Sequence, residues 1–205
     1  MDDGSICGSP QVFEIVAEEH ALQRELCDLL ESIADGLPHE FDTARACVAI
    51  SLLQGSVPEH TRLEEEALFP ILLRRLSENH PVARTLRFLE QDHHREAALV
   101  VEVTDALNTA SNSRHDVNME ALGYLLRGLF DVLRRHIDFE DQVVMPVARE
   151  VLTPQDLAAI QQWIMRSGHP RCYKQSLRTL RGVRSPDELC GSCPSSVTQR
   201  SETEY

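Results

Sequence analysis

The 205-residue chain is short of basic residues, with 20 Lys and Arg against 33 Asp and Glu, a net charge of −13. So acidic a body does not offer the cationic face that nucleic acid or an anionic membrane surface recruits, and neither is expected as a partner. Long apolar runs are missing as well. The longest, Cys47 to Leu53, is interrupted by Ser51 and falls far below the roughly 18 residues a membrane span needs. No apolar stretch follows the acidic start Met1-Asp2-Asp3-Gly4, so no secretory leader is expected and the protein reads as cytoplasmic. In that compartment the six cysteines are expected as thiols or metal ligands, not disulfides. Gly-rich hairpin turns and alternating β-branched runs are absent, which removes the usual signs of a sheet. No phosphate-binding Gly loop, dinucleotide fingerprint or activated-nucleophile arrangement points to a familiar enzyme class.

What is present is helical periodicity in a chain of ordinary globular composition, 42% apolar and 26% charged. The first helix is predicted over 12–34, with Phe13, Val16, His20, Cys27 and Leu30 on one stripe and a stop at Asp35-Gly36-Leu37-Pro38. The second covers 43–76 with an irregularity at Gly55 to Pro58. The third starts at Pro81, carries Leu86, Leu89, His93, Val100, Val103 and Leu107, and fades at Asn112-Ser113; the fourth covers 117–150. Four such helices joined by short polar links predict an all-α fold, an antiparallel up-down-up-down four-helix bundle. Thr153-Pro154-Gln155-Asp156 is an N-cap followed by a first-turn proline, predicting a short fifth helix to Arg166 that Gly168 ends. The expected organisation is a bundle over 12–150, an accessory helix over 151–168 and a Cys-containing basic tail over 169–205 that is mostly disordered and flexible. Residues 166–205 hold seven basic and four acidic side chains, against 13 and 29 in the rest.

Nine histidines punctuate this acidic chain, and two of them head matching segments. His60 to Pro70 and His136 to Pro146 share H-x3-E-[ED]-x3-[FM]-P in one register, with Glu64 and Glu140 four residues after the histidine. On a helix, residues four apart share a face, so each unit presents one imidazole and one carboxylate to a common point. Both units also keep a proline inside an apolar helix, where it costs about 3 kcal/mol. A shared costly feature points to a duplicated helical hairpin, and each copy then needs a matching first helix. His20 supplies it for His60, and either His93 or His94 for His136. Leu86, Leu89 and Val100 flank His93 as Phe13, Val16 and Cys27 flank His20, so His93 is the inward residue and His94 lies toward solvent.

Four histidines and two glutamates, His20, His60, Glu64, His93, His136 and Glu140, thus form a candidate metal set. Imidazole with carboxylate suits iron, zinc or manganese. Two carboxylates among four imidazoles suggest two ions, with Glu64 and Glu140 bridging and two histidines ending each side. Glu65, Glu66 and Asp141 fit the surroundings of the site or the solvated face, one of them as a hydrogen-bond acceptor for a ligand imidazole. His39, His80, His115 and His169 fall in links or the tail, where solvated histidines are the default.

Residues 12 to 150 resemble the haemerythrin-like, HHE-type cation-binding domains, through His20, the His60 segment ending in Leu68-Phe69-Pro70, His93, and the His136 to Pro146 segment. The resemblance implies a non-haem di-iron centre, with an oxo or hydroxo bridge, that interacts with oxygen or related small molecules. Oxygen-carrying haemerythrins have a second histidine four residues after the one on the third helix; here that position is Ala97. Its absence leaves an exchangeable position on both ions, which shifts the expectation from reversible carriage toward binding or sensing of oxygen, nitric oxide or peroxide. The alternatives are a di-iron stress-response or iron-centre repair protein with redox turnover, and an iron-storage or structural bundle. Whether the protein turns over as an enzyme stays open, since each reading uses the same ligands; a redox or signalling protein is an expected partner.

In the tail, His169-x2-Cys172 and Cys190-x2-Cys193 have the spacing of a small zinc site. The preferred reading is an unstructured tail without zinc, because Tyr173 to Leu189 lack strand signals.

Overall fold

A computed structural model describes residues 12–169, which include no strand. The first arm is α1 (Val12–Gly36). The second is α2 (Thr43–Gln54), α3 (Ser56–Leu63), a π-helical turn over Glu64–Leu68, and α4 (Phe69–Arg75). The third arm is the unbroken α5 (Pro81–Asn112), and the fourth is α6 (Met119–Phe139), a second π turn over Glu140–Val144, and α7 (Met145–Val151). α8 (Pro154–Ser167) follows. Among the described residues no helix is long and apolar enough to cross a membrane.

Local chemistry sets these boundaries. Asp42 accepts a hydrogen bond from the Arg45 amide at the start of α2, and Asn118 accepts from Glu120 and Ala121 at the start of α6. His80, expected as a solvated loop residue, caps α5 instead, its Nδ1 3.2 Å from the Val82 amide. The expected irregularity in the second arm sits at Gly55, whose φ of −109° and ψ of −76° separate α2 from α3.

The two interior prolines find their explanation in the π turns. A proline has no N–H, and its ring presses on the carbonyl four residues back. Pro70 and Pro146 each follow a widened turn by one residue, in which the Phe69 amide reaches the Glu64 carbonyl and the Met145 amide reaches that of Glu140. The five-residue hydrogen-bond step opens the turn in front of the ring, so the expected cost is relieved. Single π turns of this kind concentrate at functional sites, and each begins at a glutamate of the candidate set.

α1 lies along α6, α2 along α5, and α5 along α6. Their apolar stripes bury two separate clusters. One gathers Leu26, Leu30, Leu53, Leu107, Leu126 and Leu129; the other gathers Ile15, Leu63, Phe69, Leu86, Met145 and Ile160. α1 and α5 run from the second cluster to the first, and the second and fourth arms run the opposite way. Every arm crosses the gap between them, and the candidate residues occupy that gap.

α8 covers the second cluster with Ile160 and Ile164. Thr153 and Asp156 form a reciprocal capping box at its start, and Arg75 grips both oxygens of Asp156 at 2.7 and 3.0 Å. Gly168 ends it with φ at +71°, a left-handed conformation that glycine adopts without penalty, and turns the chain back toward the bundle.

Candidate metal centre

The polar layer brings together all six residues of the candidate set. His20, His60, Glu64 and Glu140 form one group and Glu64, His93, His136 and Glu140 a second, each with ligand atoms within 4.8 Å of one another. Both glutamates belong to both groups and are fully buried. His93 is buried and His94 exposed, as the flanking apolar residues predict. Ala97 lies exposed one turn further along α5. Cys27 packs in the first apolar cluster, away from the polar layer, and burial pushes its thiol up to about 12.

Each imidazole is held from behind by a carboxylate on another arm. The Nδ1 of His20 lies 2.7 Å from Asp141, that of His60 2.8 Å from Glu19, that of His93 2.9 Å from Glu65, and that of His136 2.9 Å from Glu96. An ionised carboxylate only accepts, so all four Nδ1 atoms carry a hydrogen, and it is Nε2 of each ring, a lone pair once any second proton has left, that faces inward. There Nε2 of His136 lies 3.0 Å from Oε1 of Glu140. The Nε2 atoms of His93 and His136 face each other at 3.2 Å, which two lone pairs cannot tolerate without a cation between them or an added proton. The Nε2 atoms of His20 and His60, both oxygens of Glu64 and Oε2 of Glu140 have no hydrogen-bond partner although all are buried. Orphaned ligand atoms of this kind, aimed at one another, are what a metal site looks like from the protein side.

The electrostatics agree. Burial opposes a proton on His60, yet Glu64, Glu140 and Glu19 outweigh it and raise its proton affinity well above the usual histidine range. Burial opposes a proton on His136 too, and Glu140 and Glu96 push it up to about 10. Burial and the charge of Glu140 raise Glu64, whereas His136, His20 and His60 hold Glu140 well down against its own burial. So much negative charge packed among imidazoles calls for positive charge at the centre.

Two of the outer carboxylates had a signal in the sequence. Glu65 and Asp141 directly follow Glu64 and Glu140, so each E-[ED] pair sends one carboxylate inward and the next to an imidazole on the facing arm; Glu66 is exposed. Glu19 and Glu96 went unnoticed among 33 acidic residues. His169 corrects an expectation. It is fully buried, not a solvated tail residue, and its Nε2 lies 2.6 Å from Glu19. Its proposed zinc companions Cys172, Cys190 and Cys193 lie outside the described residues.

Two cavities reach the layer at its His93/His136 end. One, of about 480 Å³, runs between the second arm and α5 past Val57, Ala97, Val100 and Thr104 to His93 and Glu96. The other, of about 620 Å³, lies between α5 and α6 and reaches His136 and Glu96 past Leu89 and Phe139.

A helical fold with a buried histidine and carboxylate layer, five of whose inward atoms lack partners, defines a metal-binding protein. The chain belongs to the hemerythrin family: the model of the hemerythrin HHE cation binding domain matches residues 11–148. No curated protein and no solved structure matches it. Iron is the metal this membership suggests.

Proposed function

We propose that the protein is a di-iron protein of the hemerythrin type that binds or senses oxygen, nitric oxide or peroxide. The observation that carries this reading is the set of orphaned buried atoms, Nε2 of His20 and His60, both oxygens of Glu64 and Oε2 of Glu140, gathered at one centre with every Nδ1 already engaged. His20 and His60 would hold one ion, His93 and His136 the other, and Glu64 and Glu140 both. The alternating order in which the arms cross the two apolar clusters supports an antiparallel four-helix bundle as the frame. When bound, the iron pair supplies redox chemistry toward small oxygen- and nitrogen-containing ligands.

The chain's own part is to orient and to admit. The four outer carboxylates fix the tautomer and tilt of each imidazole and raise its basicity. The apolar clusters bound the layer above and below. Small ligands approach along the 480 Å³ groove, where Ala97 places only a methyl group one turn from His93.

Metal analysis with an optical spectrum of protein from iron-supplied cells tests the reading. Two irons per chain with near-ultraviolet bands of an oxygen-bridged pair are expected; a single zinc, or no metal, would sink it. Steady-state consumption of peroxide or nitric oxide, absent in His60→Ala, would move the assignment from sensing to turnover.

A further inference from the structure

The duplicated hairpin is not symmetric in how it supports its histidines. In the second copy the carboxylate behind His136 is Glu96, three residues after His93 and therefore on the same face of α5. The corresponding residue in the first copy, three after His20, is Gln23, which is buried with its amide nitrogen unpartnered. The task of orienting His60 falls instead to Glu19, the residue before His20, which a helix rotates about 100° away from its neighbour. A carboxylate there needs a second hold, and His169 provides one. Its Nε2 lies 2.6 Å from Oε1 of Glu19, whose other oxygen lies 2.8 Å from Nδ1 of His60.

His169 is itself built in. Gly168 turns it inward, Trp163 packs a tilted ring 5.8 Å from it, and Arg62 lies over Trp163 while reaching the Ser167 carbonyl. Its Nδ1 is 3.5 Å from Glu59 on α3. Every part of this support except Glu19, Glu59 and Arg62 lies beyond residues 11–148, the segment the family model matches. We propose that His169 is a positioning residue of the metal centre: by donating to Glu19 it aims that carboxylate at His60 and so makes metal retention at the His20/His60 end depend on the docking of α8. The proposal rests on the di-iron reading.

The test uses the full-length, iron-loaded protein and the rate at which a strong chelator removes iron, followed by absorbance and metal analysis. His169→Leu fills the space without a donor, His169→Asn carries an amide too short to reach Glu19, and His169→Gln places an amide nitrogen where Nε2 stood. His169→Leu and His169→Asn should release iron ~10- to 100-fold faster than wild type while His169→Gln stays within about threefold. Thermal melting of the iron-free forms reports folding separately, and the Asn and Gln pair decides the matter if the Leu variant does not fold. Release at the wild-type rate from a folded Leu or Asn variant overturns the proposal, and so does a Gln variant as leaky as Asn. A wild-type chain that takes up no iron overturns the di-iron reading and this inference together, whereas normal loading with unchanged release overturns this inference alone.

Discussion

The two ends of the polar layer present the same ligand types in different settings. At the His93/His136 end, the supporting Glu96 comes from the same face of the same helix as His93, and two cavities reach the imidazoles. At the His20/His60 end, Glu19 is borrowed from an off-face position and held by His169, just past the end of α8, and Asp141 is gripped by Arg24 at 2.7 Å. The two ends therefore match in their ligands and differ in what supports them.

The harshest way to break the comparison is to remove what both ends share. Glu64→Ala or Glu140→Ala should abolish metal binding at both, read as metal per chain, because each glutamate belongs to both groups. The next experiment separates the ends. Glu96→Gln and Glu19→Gln should each weaken metal affinity ~10- to 100-fold by chelator competition. Gln23→Glu, by restoring the carboxylate that the repeat lacks, should recover part of the Glu19→Gln loss; no recovery would refute the equivalence of Gln23 and Glu96.

Acidity acts on both ends. In the iron-free protein His136 is raised from 6.5 to about 10, so its contribution to stability is complete below pH 6.5 and is lost as pH rises through about 10. The hydrogen bonds from His169 and His60 bring Glu19 down to about 2 against its own burial, so its contribution is present above pH 4.5 and lost as pH falls through about 2. Melting of the iron-free chain should therefore peak between these limits, whereas metal uptake, which displaces protons from the imidazoles, should strengthen as pH rises.

Smaller effects probe the entrances. Ala97→Phe should narrow the groove and slow azide or nitric oxide association about tenfold, about 1.4 kcal/mol on the barrier, with metal content unchanged in the same samples. Arg24→Ala removes a half-exposed grip on Asp141, and a thermal melt should register less than ~1 kcal/mol.

The helical fold and the inward residues were legible in the sequence because both follow from spacing along one helix: the apolar stripes at three and four, the H-x3-E pairs, and the choice of His93 over His94. What spacing cannot show is who stands across from whom. Glu19 meets His60 41 residues away and His169 150 residues away, and nothing local marks either contact. The π turns were half visible. Pro70 and Pro146 stood out as a cost shared by the two segments, but the hydrogen-bond step that absorbs it is a property of the backbone that residue types do not spell out.

The polar layer also divides the hydrophobic interior. Two apolar clusters that could have fused into one continuous core are held apart by six buried polar side chains. Replacing such a layer with well-packed Leu, Ile and Phe is often neutral or stabilising. The same chain without its centre would then be a tougher and emptier molecule. On that view the layer is a deliberate weak plane, and the bound metal is the rivet that lets the protein keep it.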